Sequence, residues 1–270
     1  MKVLATATLF FSFLQFYAQN SSFDSMLVEV KQNHQIWAGS SWENWNRDSL
    51  EKNFAQSLEK LLASAEFCNV PFPDSLPAPF WNAEHIDDYE APARFYMLFS
   101  YISYCQSADC KLAIFSWDNR GGGSYHSFSN YLWHRKDSNQ CAVMFLPDFN
   151  MPGIPQRDSD PAAAADASFY AIDQIERNNT KLYILSGYGT FGSGKHHRSV
   201  RIFEEAENGL SECFECYPDR EPIDIHCNRS QDVELTFDQK SQTLRWKQFD
   251  FDDDMGFFTD SFEWKSWVIP

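Results

Sequence analysis

The glycine-rich segment GTFGSGK, residues 189–195, has the most recognisable chemical spacing in the chain. It satisfies the G-x-x-x-x-G-K pattern of a phosphate-binding loop, in which backbone N–H groups and a lysine hold phosphate oxygens. However, His196 stands where such loops have a magnesium-binding Ser or Thr, and residues 199–203 favour a strand over the helix that would bind the anion. We therefore interpret the segment as a glycine-rich hairpin loop and predict no cofactor.

A second group, Cys213, Cys216, His226 and Cys227, has the residue types of a zinc site, and its C-x-x-C spacing also suits a redox motif. Adjacent His226 and Cys227 cannot easily reach the same metal ion. A redox motif opens a helix, whereas a Tyr-Pro pair follows the second cysteine here. A structural disulfide is the favoured interpretation, with zinc binding and redox catalysis as alternatives, and no metal site is predicted.

Aspartates at positions 250 and 252–254, together with Gly256, supply the hard oxygen ligands that Ca²⁺ prefers. They do not fit the calcium loop of an EF-hand, because the glycine is one position late and Ser261 occupies the place of the bidentate glutamate. An acidic hairpin loop is the favoured interpretation.

The catalytic residues are unknown from the sequence. Asp118, Ser124 and His126 have the residue types of a hydrolytic triad, but neither G-x-S-x-G nor H-E-x-x-H occurs in the chain. The carboxylate pair of a glycoside hydrolase is defined by a separation of about 5 to 10 Å, which is a property of the fold. The tandem His196 and His197 are expected to be exposed to solvent, with at most one side chain on each face of a strand.

Residues 1–19 have the profile of a cleavable signal peptide. Lys2 gives a positive start, and the apolar run at residues 3–18 ends at polar residues and is shorter than a bilayer span. An uncleaved anchor or a buried helix is the alternative. No cysteine lies near the boundary, so no lipoprotein anchor is expected. We predict a secreted or periplasmic protein whose mature chain has no membrane span.

The chain is strongly acidic, with a formal net charge of −16 that becomes −17 when Lys2 is removed with the signal peptide. Such a charge repels nucleic-acid phosphates and anionic membranes, which argues against both as partners. A cation, a neutral glycan ligand or a basic protein ligand stays open as a partner. The aromatic content of 17% predicts a core rich in Phe, Tyr and Trp, with an aromatic binding surface as the alternative.

All seven cysteines follow the predicted signal peptide, where export favours disulfide formation. An odd count leaves at least one free thiol, and the connectivity cannot be deduced from the sequence. The local candidates are Cys105 with Cys110, and Cys227 with either Cys213 or Cys216. Cys68 is expected to be the free thiol, because it follows a helix and precedes a proline-rich loop.

The elements that position these residues begin with a helical segment at residues 20–110. One helix is predicted at the start of the mature chain, and a second follows Asp48 and Glu51, which resemble a capping box before leucines at spacings of three and four. A third helix is predicted at residues 92–105, where a buried strand suits the aromatic residues equally. Four prolines make residues 70–80 a loop.

Residues 111–270 form a β-rich region of short strands separated by turn residues, the pattern of an antiparallel meander. The predicted fold is α+β, with the N-terminal helices packed on a mainly antiparallel β-sheet or β-sandwich meander as one continuous domain. The predicted strands cover residues 112–117, 125–133, 142–146, 169–175, 182–187, 199–203, 233–237, 243–249 and 261–269.

Two segments of this region, IFSWDNRGGGSYHSF at residues 114–128 and KLYILSG at residues 181–187, resemble a group of uncharacterised exported bacterial proteins of similar length. The resemblance covers about half of the chain. It implies an exported, β-rich protein and carries no catalytic residue over to this sequence.

These observations favour a non-catalytic exported protein, a binding or envelope-associated module. A secreted hydrolase acting on glycans is the alternative from the enzyme class, because aromatic residues and carboxylates suit it. A disulfide-stabilised structural protein without a ligand is a third possibility. A cleft that gathers two carboxylates or three metal ligands would distinguish the enzyme from the binding module.

Overall fold

The computed structural model describes residues 22–40, 46–69, 76, 78–83, 101–119, 128–137, 140–146, 167–191, 194–206, 209–252 and 255–270. The predicted signal peptide lies outside these residues, as do residues 92–100 of the predicted third helix and most of the proline-rich loop. Within the described residues, no helix is long and apolar enough to cross a membrane. The chain divides into two compact units, one made of the residues before Ser75 with Arg135–Val143, and the other of Ser75–His134 with Met144–Pro270.

Three helices belong to the first unit: α1 at residues 22–38, α2 at Arg47–Leu62 and α3 at Ala65–Asn69. The predicted apolar face of α2 is buried, and Trp37 of α1 stacks on Phe54 with ring centroids 5.4 Å apart. The predicted capping box is wrong, because the helix begins at Arg47 and Asp48 lies inside its first turn. A carboxylate there still stabilises the helix through its dipole.

The strands form three sheets in which antiparallel pairing predominates. The first sheet has the order β1-β2-β3-β4-β5, and its β1 and β2 are parallel. The second has the order β10-β8-β7-β6, with β9 also paired to β8, and the third has the order β11-β12-β13. The bounds are β1 Phe80–Asn82, β2 Ile102–Gln106, β3 Leu112–Asp118, β4 Phe128–Arg135, β5 Cys141–Leu146, β6 Ser168–Arg177, β7 Thr180–Phe191, β8 Lys195–Ala206, β9 Gly209–Glu212, β10 Ile223–Asn228, β11 Thr236–Asp238, β12 Thr243–Asp252 and β13 Phe257–Val268.

The second sheet is buried on both of its faces. On β7, Tyr183 shares an apolar core with Ile114 of the first sheet, whereas the preceding residue, Leu182, shares a core with Trp246 of the third. Consecutive side chains of a strand point to opposite faces, so the second sheet lies between the other two. A strand buried on both faces is apolar at successive positions, which explains the run LYIL at residues 182–185.

One edge of β8 is completed by two short strands in line. β10 pairs with residues 195–200 of β8, and β9 pairs with residues 203–206. Two 3-10 turns, Phe214–Cys216 and Pro218–Arg220, connect them. In the gap between β9 and β10, the Cys213 N–H donates to the Ile202 carbonyl at 2.9 Å, so the edge stays hydrogen-bonded there.

The prediction of a β-rich, mainly antiparallel protein with N-terminal helices is confirmed at this level. The helix predicted up to Cys105 is wrong in its described part, where residues 102–106 form β2, the strand alternative. β9 and β10 were not predicted, and the strand predicted at 233–237 is confined to Thr236–Asp238. The packing of the helices on a sheet stays a prediction.

Candidate functional site

The seven cysteines form two disulfides and leave three thiols. Cys213 pairs with Cys216, and Cys68 of α3 pairs with Cys141 of β5. The prediction of disulfides is confirmed, and one of them lies within the predicted segment from Cys213 to Cys227. The bonded pairs differ from the predicted pairs. The free thiols are Cys105, Cys110 and Cys227.

The position of each free thiol explains why its predicted pairing does not occur. Cys105 is buried on β2 and points into the core shared with the second sheet, whereas Cys110 lies in the following turn with a φ of +55°. Cys227 points into the core shared with the third sheet, where burial raises its pKa to about 11. A buried thiol in apolar surroundings is chemically inert.

β7 and β8 pair antiparallel on either side of a short connection, which confirms the hairpin predicted at residues 189–195. β7 ends at Phe191 and β8 begins at Lys195, while Gly194 adopts a φ of +87°, the left-handed conformation that favours glycine. A strand follows this turn, so the segment has no helix N-terminus with which to bind a phosphate.

The expectation that His196 and His197 are solvent-exposed is wrong, because β8 is an interior strand of its sheet. His197 is fully buried beside His226, with ring centroids 5.9 Å apart. His196 hydrogen-bonds to the Tyr188 hydroxyl and accepts the Arg229 Nε–H at 2.9 Å. Burial, and then Arg229 and Arg198, lower the pKa of His196 to about 4, so its ring is neutral at physiological pH.

The structure does not assemble a metal site from Cys213, Cys216, His226 and Cys227. The first two are bonded to each other, and burial alternates along β10, so His226 and Cys227 point to opposite faces of that strand. Among the described residues, no group of three or more His, Cys, Asp or Glu side chains is placed to hold a metal ion.

A buried polar network lies along the edge of β8. Arg201 donates to both carboxylate oxygens of Glu212, at 2.5 and 2.6 Å. The Tyr217 hydroxyl accepts the Ile202 N–H and donates to Glu212 at 2.8 Å. Asp224 lies near this network, and burial raises its pKa to about 6 against the lowering effects of Ser199 and Arg201. Arg201, Glu212 and Tyr217 are hydrogen-bonded to one another across β8, β9 and the turn, so they hold these elements together.

The predicted acidic loop at residues 250–256 lies at the turn between β12 and β13. The Asp252 carboxylate accepts the Met255 N–H at 3.0 Å, and Gly256 has a φ of +70°. Asp253 and Asp254 lie outside the described residues. The described part therefore has the hydrogen bonding of a turn.

Of the three residues with the types of a hydrolytic triad, Asp118 is buried at the end of β3, while Ser124 and His126 lie outside the described residues. A cavity of about 320 Å³ lies between the β2–β3 turn and β6. The described residues that line it include Gln106, Cys110 and Tyr170 but no carboxylate, so they do not supply the acid pair of a glycoside hydrolase.

The most unusual surface of the described residues is the hairpin of β12 and β13. Six of the ten exposed large hydrophobic side chains of the described residues lie between positions 251 and 268. We call these six side chains the hairpin surface; they are Phe251 (45% exposed), Met255 (62%), Phe257 (54%), Phe262 (42%), Trp264 (44%) and Val268 (61%).

Cations lie over the exposed rings of the hairpin surface. The Arg245 guanidinium is 4.1 Å from the centroid of the Trp264 ring, and the Lys247 ammonium is 4.9 Å from that of Phe262. Lys195, at the start of β8, lies 5.0 Å over Phe251. Lys247 also pairs with Glu234, whereas no described carboxylate lies within 4 Å of Lys195 or Arg245. The surface therefore combines exposed aromatic rings with cations that lie over them.

Sequence reasoning missed this surface because its pattern indicates a core. Phe262 and Trp264 alternate with Glu263 and Lys265, which is the pattern of a strand with one buried face. In the structure all four side chains are exposed. The sequence signal that could have indicated this surface is the high density of aromatic residues at positions 249–264, on both sides of a predicted loop.

Comparison with known proteins finds nothing similar: no protein family, no curated protein and no solved structure matches this chain.

Proposed function

We propose that this protein is an exported, non-catalytic binding module that binds a protein partner through the hairpin surface. The observation that carries the proposal is the concentration of exposed Phe, Trp and Met side chains on one hairpin. Exposed apolar side chains scattered singly need no explanation, but six of them on one hairpin are typical of an interaction site.

The composition of the surface favours a protein over a glycan. A sugar stacks on the open face of an aromatic ring, but Arg245 covers one face of Trp264, and Lys247 lies over Phe262. Aromatic residues, Met and Arg are enriched in protein interfaces, and Trp and Arg are frequent among the residues that contribute most to binding. Arg245 and Lys195 would complement acidic groups on that partner.

The predicted export of the protein also supports the proposal. The signal-peptide pattern at residues 1–19 places the partner outside the cytoplasm. Two disulfides are compatible with that environment, because cytosolic reductants oppose disulfides. The partner would be another exported or envelope protein with a partly apolar surface.

Photocross-linking in the native host tests the proposal. A photoreactive phenylalanine analogue at position 264 is compared with the same analogue at Phe214, which has the same exposed fraction of 44% but lies outside the hairpin. We expect a cross-link to one exported protein from position 264 and none from position 214. A product of twice the mass of the chain reports self-association and does not count as a partner.

Two outcomes would contradict the proposal. Equal cross-linking from positions 264 and 214 would show that the hairpin surface has no preferred partner. Binding of a neutral oligosaccharide that is lost when Trp264 is changed to alanine would replace the protein partner with a glycan.

A further inference from the structure

Among the described residues, nothing pairs with the outer edge of β13 along half of its length. β13 is the last strand of the third sheet, and no described strand pairs with its other edge. At twelve residues it is long for an edge strand, since edge strands are usually kept short to prevent pairing with other chains. An edge strand presents unpaired N–H and C=O groups, so it can accept a further strand.

The beginning of β13 is protected from such pairing. Asn228 donates to the Phe258 carbonyl at 2.5 Å and accepts the Phe258 N–H at 3.3 Å, and Gln231 donates to the Thr259 carbonyl at 2.6 Å. The register also breaks there: Phe249 faces Phe262, but Phe251 faces Phe258, so β13 has two extra residues in this step. Side chains that occupy the backbone groups, and bulges that bend the strand, both block an edge.

No such protection extends to residues 262–268. These residues pair in unbroken register with residues 243–249 of β12 and contain no proline and a single lysine. Residues 260–266 are exposed at seven consecutive positions, so neither face of this part of the strand is covered. Trp267 packs on the core, and residues 262–266 are held by their pairing with β12.

The side chains of this segment are complementary to themselves. In a two-fold antiparallel pair, directly opposed side chains lie on the same face of the sheet, so the axis passes through a residue opposite its own copy. An axis at Glu263 or Lys265 would place like charges opposite each other, which is unfavourable. An axis at Trp264 places Glu263 opposite Lys265 on both sides and one Trp264 opposite the other.

We propose that residues 262–268 of β13 pair antiparallel with the same residues of a second copy of this chain, with the two-fold axis at Trp264. The pairing joins two three-stranded sheets into one of six strands. Four charges, two from each copy, then lie together, because Glu263 and Lys265 of one chain are already 2.6 Å apart. The large negative charge of each copy opposes the association, and salt at physiological strength screens that repulsion beyond about 8 Å.

Sedimentation equilibrium of the mature, oxidised protein tests the proposal with charge-reversal variants. Glu263→Lys and Lys265→Glu each place like charges opposite each other twice, and we expect each to raise the dimer dissociation constant about tenfold. The double variant Glu263→Lys/Lys265→Glu restores opposite charges and should restore the affinity. Neither residue belongs to the hairpin surface, so the result is independent of the proposed protein partner.

A second exposed ion pair provides the matched control. Glu215 and Arg220 are 3.2 Å apart, and both side chains are more than two thirds exposed. Glu215→Lys and Arg220→Glu change the net charge as the β13 variants do and should leave the dimer unchanged. A wild-type chain that stays monomeric at high concentration would overturn the proposal, as would a dimer that both sets of variants weaken equally.

The register can be tested separately by cross-linking. In a background with Cys110→Ser, a cysteine at position 264 faces its own copy at a Cα separation of about 4.5 to 5.5 Å, within disulfide reach. Oxidation should give a covalent dimer from position 264 and none from position 266, which faces Phe262 of the other copy. Equal yields from both positions would contradict an axis at Trp264.

Discussion

The Tyr217 hydroxyl lies at the gap between β9 and β10 in the second sheet. It accepts the buried Ile202 N–H and donates to Glu212, which Arg201 also binds. Tyr217→Phe leaves the buried Ile202 N–H without this acceptor and Glu212 without one of its donors, and we expect a loss of about 1 to 3 kcal/mol in the free energy of unfolding, measured by denaturant titration.

Tyr183→Phe is the matched control for this change. The Tyr183 hydroxyl lies 3.3 Å from Asp109, a carboxylate that Lys181 already binds at 2.6 Å. Its removal should cost less than about 1 kcal/mol. Equal costs for the two variants would show that the Tyr217 hydroxyl has no special role at the strand edge.

Asp224 makes the stability depend on pH in a direction opposite to most carboxylates. Burial raises its pKa to about 6 in the folded state, above the value of about 3.9 expected in the unfolded chain. The folded state therefore holds the proton longer, and this residue contributes stability at low pH that is lost as the pH rises from about 4 to about 6. Asp224→Asn removes the titration while keeping the shape of the side chain.

We expect the stability of Asp224→Asn relative to the wild type to increase between pH 4 and pH 7, by at most about 3 kcal/mol. Urea denaturation of both proteins at matched pH values measures it. A difference that does not change with pH, or that decreases, would contradict a raised pKa at this position.

At the scale of the elements, the two disulfides should differ in their effect because they close loops of different length. Cys68 and Cys141 are 73 positions apart, whereas Cys213 and Cys216 are three apart. In the chain-entropy treatment, a bridge of the first kind removes about 4 kcal/mol of unfolded-state freedom and one of the second about 2. The double variants Cys68→Ala/Cys141→Ala and Cys213→Ala/Cys216→Ala should rank in that order in thermal or urea denaturation. The opposite order would contradict it.

Strands were predictable from the sequence where burial follows a simple pattern. β7 is apolar at consecutive positions because both faces are covered, and α2 shows leucines at helical spacing. Burial alternates strictly along β10, where Ile223, Ile225 and Cys227 are buried. This strand was missed because its His226 and Cys227, together with the nearby cysteines, have the residue types of a metal site. β9 is four residues long and too short to give a periodic signal.

The hairpin surface was not predictable, because the exposure of an aromatic strand depends on what the rest of the chain covers. The alternation of Phe262 and Trp264 with charged residues predicts one buried face, and only the three-dimensional arrangement shows that β13 extends beyond the core. The disulfide partners also depend on distances between strands and helices that the sequence does not contain.

At the scale of the whole molecule, the predicted signal peptide and the disulfides together define the covalent state of the exported chain. Intact mass of protein from the native host should show the first 18 or 19 residues missing, as the apolar run ending at Ala18 indicates. Thiol counting on denatured, unreduced protein should give three thiols per chain, those of Cys105, Cys110 and Cys227. Seven free thiols, or a mature chain that begins at Met1, would contradict export into an oxidising environment.

Binding of a protein partner by the hairpin surface is tested by the affinity of the partner that cross-linking identifies. Isothermal titration compares Phe262→Ala/Trp264→Ala with Phe145→Ala/Phe214→Ala, a control that removes two exposed rings outside the hairpin. We predict that the hairpin variant weakens binding by at least about 30-fold, as expected for residues that contribute 2 kcal/mol or more, while the control binds like the wild type. Equal affinity of the hairpin variant and the wild type would contradict the claim.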